Sequence, residues 1–195
     1  MASSKSGVNL AFAFIVAVLG LTAATFIYIN SNKPDTRPAS TRETSGQSPE
    51  NNPAVADMGQ LAALEQSITR EPQNPDYRTQ AGNVYYDAGQ FDKAADFYQQ
   101  SLNIRPSDPN VETDLATCFH YLGQNDKALE TLNKVLEYSP GFSKAMFNKG
   151  IVLVEGKKDI KGAIAVWEDL LRLNPGYPQK AELEQRIGQL KASVR

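Results

Sequence analysis

The chain has one histidine and one cysteine, and they lie two positions apart, Cys118 and His120. A thiol beside an imidazole could form a nucleophile and its base. On a helix, however, positions i and i+2 point to nearly opposite sides, so the two cannot face each other. One thiol cannot close an internal disulfide or supply the paired cysteines of a zinc or redox site. No glycine-rich phosphate loop follows a strand pattern, and no strand pattern is evident. The acidic residues fall mostly beside lysines, as on solvated helix faces. The expectation is a protein that is not an enzyme, with no catalytic residue, no metal and no cofactor.

Charge narrows the partners. Lys and Arg total 20 against 22 Asp and Glu, a net charge of −2 with a pI near 5.5. Nothing in this balance suggests a phosphate-binding surface, so nucleic acid is excluded as a partner.

The elements that must position any binding residues differ along the chain. Residues 1–9 form an N-terminal tail. Residues 10–29 read LAFAFIVAVLGLTAATFIYI, without a charge. At about 1.5 Å per residue this helix would span roughly 30 Å, the hydrocarbon thickness of a bilayer. It predicts a transmembrane anchor. The rival is a cleaved signal, whose apolar core is about 7–15 residues and ends at a small-residue site. Here the apolar run continues past Thr22-Ala23-Ala24 through Phe26, Ile27 and Ile29. Residues 30–57 are rich in Ser, Thr, Pro, Asn and Gln, and they predict a disordered linker.

From residue 58 onward the chain is periodic. Pro72, Pro106, Pro140 and Pro175 are spaced 34, 34 and 35 residues apart, and the residues around them correspond. Small residues recur in pairs, Gly82 with Ala94, Ala116 with Ala128, Gly150 with Ala163. Large ones recur between them, Tyr85 with Tyr98, Phe119 with Leu132, Leu153 with Trp167. Gly89 and Gly123 stand where a turn between two helices needs φ > 0. Proline ends each unit because it cannot continue a helix. Cys118 shares its repeat position with Val84 and Val152, which makes it a small buried residue. The extra residue of the third unit is expected in the Glu155–Lys161 turn.

A 34-residue period with this pattern resembles the tetratricopeptide repeat (TPR) family. The resemblance implies an all-α fold, a TPR α-solenoid of antiparallel helix pairs, to which the apolar run at 10–29 would add an N-terminal transmembrane helix. Its domain at 58–195 would comprise a half repeat at 58–72, repeats at 75–106, 109–140 and 143–175, and a capping helix at 178–193. In that helix Ala181, Leu183, Ile187 and Leu190 would face inward. The sequence departs from the family where an aromatic is usual early in the first helix, which here is Arg78, Glu112 and Met146, and where Ser101 replaces an alanine.

In TPR domains the first helices of successive units line a concave groove. By repeat position this implies Thr79, Asn83, Tyr86 and Asp87 from the first unit. It implies Thr113, Thr117, His120 and Tyr121 from the second, and Phe147, Asn148, Ile151 and Val154 from the third. Phe147, Ile151 and Val154 would form an apolar floor. The partner implied is a protein or peptide ligand, held by an adaptor or scaffold acting as an assembly or maturation factor. Asn83, Lys144 and Asn148 echo the clamp of TPR co-chaperones that grip carboxylate tails. Thr79 and Asp114 stand where a lysine and an asparagine are wanted, so that role is not expected.

Two alternatives accompany this reading. One is a homo-oligomeric scaffold. The other comes from GAIAVWEDLLRLNPGYPQKAELEQRIGQL, which is similar to the C-terminal TPR domains of bacterial cytochrome c maturation proteins and implies an apoprotein chaperone. Lys33, Arg37 and Arg42 beyond the anchor lean towards a cytoplasmic domain by the positive-inside rule. The habit of anchored bacterial TPR proteins implies the opposite, a single-pass inner-membrane protein with a periplasmic domain. That is the expectation retained, with a cytoplasmic-facing domain as the alternative.

Overall fold

The computed structural model describes residues 57–194. The tail, the apolar run at 10–29 and the linker up to residue 56 lie outside the described residues. Among the described residues no helix is long and apolar enough to cross a membrane.

Among the described residues eight α-helices follow one another: α1 Met58–Arg70, α2 Pro75–Asp87, α3 Phe91–Ile104, α4 Pro109–Tyr121, α5 Asn125–Tyr138, α6 Ser143–Ile151, α7 Ile160–Leu173 and α8 Lys180–Ser193. Local chemistry starts several of them. Asp57, Asn74, Asp108 and Asp159 each accept a bond at an N-cap from the backbone N–H of Gln60, Asp76, Asn110 and Gly162, at 2.9–3.1 Å. Such caps satisfy donors that the first turn leaves orphaned. Pro75 and Pro109 follow their caps, where a missing N–H costs nothing. Asp57, placed in the linker by sequence, caps α1.

The first two intra-unit turns share one solution. Gln90 N–H reaches the Tyr85 carbonyl and Gly89 N–H the Tyr86 carbonyl, both at 2.9 Å. Gln124 and Gly123 repeat this on Phe119 and His120 at 2.8 and 2.9 Å. Gly89 and Gly123 hold φ of 71° and 74°, which only glycine adopts without cost.

The third unit differs. Its extra residue widens the end of the first helix into a π segment, Val152–Gly156, instead of lengthening the turn beyond it. Lys157 N–H bonds the Val152 carbonyl at 3.1 Å and Asp159 N–H the Leu153 carbonyl at 2.8 Å. Lys158 takes the left-handed conformation, φ 59°, in place of glycine.

Each helix packs on its chain neighbours, and α4 also meets α6, so the pairs stack into an all-α solenoid. Size matching between the two helices of a unit sets the core. A Cβ on Gly82 would lie 2.7 Å from the Tyr98 ring, and one on Gly150 only 2.0 Å from Trp167 Nε1. In the middle unit Ala116 and the smaller Leu132 occupy those places, both fully buried. Trp167 is also fully buried and donates Nε1–H to the Phe147 carbonyl at 3.0 Å. The polar end of the indole is thereby satisfied while its body fills the unit.

The departures from the repeat pattern are accommodated individually. Glu112 is buried, yet Lys134 Nζ lies 3.0 Å from one carboxylate oxygen and the Tyr138 hydroxyl donates to the other at 2.7 Å. Ser101 is buried with its hydroxyl 2.7 Å from Thr79 Oγ1 and donating to the Pro75 carbonyl at 3.1 Å. In α8, Leu183, Ile187 and Leu190 are buried, whereas Ala181 is exposed. Residue 181 lies in the first turn, and the inward stripe of α8 begins only at 183.

Candidate functional site

The first helices of the three units, α2, α4 and α6 with its π segment, carry the residues expected to line a groove. The structure divides those residues into three groups. Asn83, Asp87 and Tyr121 are exposed, and Thr79, Tyr86, Thr117, His120, Asn148 and Ile151 are half-buried. Thr113, Phe147 and Val154 are buried.

The third group corrects the expected apolar floor. Thr113 has no exposed surface and returns its hydroxyl to the Pro109 carbonyl at 2.6 Å. Phe147 stacks at 6.0 Å on Trp167. Ile151 is left as the floor residue with appreciable surface. Thr79 is also committed, because its hydroxyl pairs with Ser101 inside the first unit.

The remaining polar groups are oriented by their neighbours. The Tyr98 hydroxyl donates to Asn83 Oδ1 at 2.8 Å, so the Asn83 amide turns its N–H groups outward. Asn148 Nδ2 donates to Thr117 Oγ1 at 3.0 Å, bridging α6 and α4 and leaving the Asn148 oxygen as an acceptor. An outward donor on the first unit and a free acceptor on the third suit a peptide backbone, which offers both.

Three aromatics gather where α2, α3 and α4 meet. Phe91 and Tyr121 stack with centroids 4.3 Å apart, and Tyr86 meets them edge-on at 5.4 and 6.2 Å. Burial pushes the Tyr86 hydroxyl well above its ordinary value, with Tyr121 and Asp114 adding to the effect. Tyr121 is 42% exposed and Leu122 beside it 39% exposed, so this corner offers apolar surface.

Position-by-position transfer placed Asp87 in the groove but missed the other charged groups. Asp114 on α4 pairs with Lys144 on α6 at 2.7 Å. Burial holds its carboxyl above the ordinary range even so, and Lys144 only partly offsets it. Partial desolvation and the nearby Asp114 likewise raise Asp87. Glu155 in the π segment approaches His120, and Arg186 of α8 lies over the rings of Phe147 and Trp167 at 5.9 and 5.6 Å. A signal for Asp114 and Lys144 was present, since both occupy clamp positions in the repeat. Nothing in the sequence signalled Arg186, which depends on how α8 docks.

The cysteine and the histidine have separate surroundings. Cys118 is fully buried among Ala94, Tyr98 and Leu115, and burial pushes its thiol up to about 12. At neutral pH it is therefore protonated and a poor nucleophile. His120 is engaged by Asn125 and Glu155, so the thiol and imidazole serve different neighbours. Among the described residues no group of three or more His, Cys, Asp or Glu side chains could hold a metal ion.

The comparisons agree with this architecture. The tetratricopeptide repeat model matches residues 50–113 and again 85–148. No curated protein matches the chain by sequence. Among solved structures, the TPR domain of Sgt2 from Aspergillus fumigatus is similar at 25% identity with a TM-score of 0.56, over 62% of this chain and 78% of that one. The first TPR of Spaghetti (RPAP3), solved bound to the HSP90 peptide SRMEEVD, is 22% identical with a TM-score of 0.54, over 62% and 94%. The TPR2B domain of yeast Sti1, solved as a pHsp70 complex, is 16% identical with a TM-score of 0.56, over 61% and 97%. The 34-residue period, the size-matched helix pairs and a family match over half the chain show together that this chain belongs to the tetratricopeptide repeat family.

Proposed function

We propose that the chain is an adaptor that holds a peptide or protein segment along the inner faces of α2, α4 and α6, close to a membrane in which residues 10–29 anchor it. The observation that carries this reading is the pair of oriented amides, Asn83 held by Tyr98 and Asn148 held by Thr117. A ligand backbone bonds to such groups without the side chains first having to be ordered, which lowers the entropic cost of binding. The exposed edge of Tyr121 and the Ile151 side chain supply apolar contact beside them. Two similar folds were solved with heat-shock-protein ligands, which supports a peptide as the ligand class.

Charge favours a different peptide from theirs. The HSP90 peptide SRMEEVD is acidic, and here Asp87 and Asp114 both stand on the inner faces. A carboxylate tail entering beside them would meet repulsion. Trp167, which carried the likeness to cytochrome c maturation proteins, is accounted for by its packing on Gly150. The adaptor reading does not need that likeness.

Selection of peptides from a phage-displayed random library by the full chain, in a detergent micelle, tests the proposal. Selected peptides should lose about tenfold or more in affinity with Asn83→Ala or Asn148→Ala, one or two hydrogen bonds being worth this much. Unchanged binding in both variants would remove the groove from the account.

A further inference from the structure

Three elements converge on His120, the one histidine of the chain. From α4, its Nδ1 lies 2.7 Å from Asn125 Oδ1 at the start of α5, and its Nε2 lies 3.5 Å from Glu155 Oε2 in the π segment. Asn125 Nδ2 in turn reaches the Gly156 carbonyl at 3.5 Å, which leaves the amide oxygen facing the imidazole. A Cβ on Gly156 would lie 2.4 Å from the Asn125 side chain, so the π segment and α5 are in close contact here.

Donor and acceptor rules then fix the imidazole. An amide oxygen only accepts, so Nδ1 must carry a proton. In the neutral ring Nε2 would then aim a lone pair at a carboxylate. Adding a proton at Nε2 replaces that repulsion with a charge-assisted N–H bond to Glu155. The carboxylate has capacity for it, because among the described residues Glu155 Oε1 is buried with no hydrogen-bond partner. Glu155 comes within reach because the extra residue of the third unit is taken up as a π segment.

We propose that His120 is a pH-responsive bolt between the second and third repeat units, closing α4 onto Glu155 when protonated and releasing it when neutral. The release would loosen the inner faces where Tyr121 and Ile151 stand, and so couple pH to groove geometry.

The surrounding groups leave Glu155 as the partner that matters. On α4 itself, Cys118 is shifted upward by burial and Tyr121 by partial desolvation, and both stay neutral. Asp126 of α5 is taken by Lys157 at 2.7 Å, and Lys127 lies over the Phe119 ring. Lys158 donates to the Glu155 backbone carbonyl at 2.8 Å. Arg186 of α8 acts on Glu155. The α3 side contributes the Phe91 ring against Tyr121, and α6 contributes the neutral Asn148 bond to Thr117.

Burial alone would lower the basicity of His120. Hydrogen bonding to Glu155 and Asn125, with the Glu155 charge, more than offsets it and raises His120 above its ordinary 6.5. A group raised in the native state stabilises fully below its unfolded value and ceases to do so as pH rises through its native one. The bolt is therefore closed below the ordinary histidine value and opens as pH rises through the raised native one.

The sole imidazole makes the test direct: an NMR pH titration of His120 in the full chain. The expected midpoint lies above 6.5, and Glu155→Gln should lower it by about one unit or more. The thermal stability of wild type relative to His120→Gln should be greatest at about pH 5.5 and should fall as pH rises towards about 9. Amide exchange over residues 151–156, corrected for intrinsic rates, should be slowed by protonation only in wild type. A wild-type midpoint at or below 6.5, or one indifferent to Glu155→Gln, overturns the proposal. Should Glu155→Gln fail to fold, the wild-type midpoint and the His120→Gln comparison decide the matter alone.

Discussion

Substituting Gly150 by alanine should cost about 1–3 kcal/mol, since the added methyl would overlap Trp167 and neither backbone can withdraw freely. Gly188, inside α8 with open space where its Cβ would point, should respond oppositely and gain roughly 0.5–1 kcal/mol as alanine. Thermal or urea melts of the two variants check both signs. The close approach at Gly150 was legible from repeat position, as was the buried Cys118. The directions of Asn83 and Asn148 were not. Each depends on a hydroxyl from elsewhere, Tyr98 on α3 or Thr117 on α4, and sequence spacing says nothing about where a hydroxyl points. Thr113 and Phe147 failed as groove residues for a related reason. A position that faces inward on one unit also faces its neighbouring helix, and side-chain length decides which surface it joins.

Helix boundaries follow from capping chemistry that can be read directly, with aspartate or asparagine at four N-caps and glycine after the first two inner helices. The connections are less regular. Ser107, after Pro106, holds φ 62°, a left-handed conformation that costs a side-chain-bearing residue. Ser107→Gly should therefore raise stability by about 0.5 kcal/mol, the relief of strain being partly offset by the freer unfolded chain. A matching melt would measure it. The π segment could not be foreseen from spacing. One extra residue fits equally well in a longer turn or in a widened helix end, and packing of Gly156 on Asn125 accompanies the second. That choice also brings Glu155 towards His120, so a change at the level of the element sets the chemistry of a residue.

At the scale of the molecule, the solenoid itself was the most legible feature, because small and large positions recur jointly in three copies and each pair must bury the same stripe. The arrangement of α8 was legible in kind but not in detail, since Ala181 proved exposed and Arg186 reached the rings of the third unit. Residues 10–29 carry the proposal of membrane attachment. Reporter fusions at Arg195 should be active outside the cytoplasm, and activity inside it would instead put the adaptor on the cytoplasmic face. The central claim is that the inner faces of α2, α4 and α6 hold a protein segment. It is tested most directly by placing a photo-crosslinking residue at Asn83 of the full chain in cells, with the same residue at Glu130 on the outward α5 as control. The account predicts a discrete crosslinked partner from position 83, lost with Asn148→Ala and absent from position 130. Equal crosslinking from both faces, or none from position 83 that depends on Asn148, would contradict it.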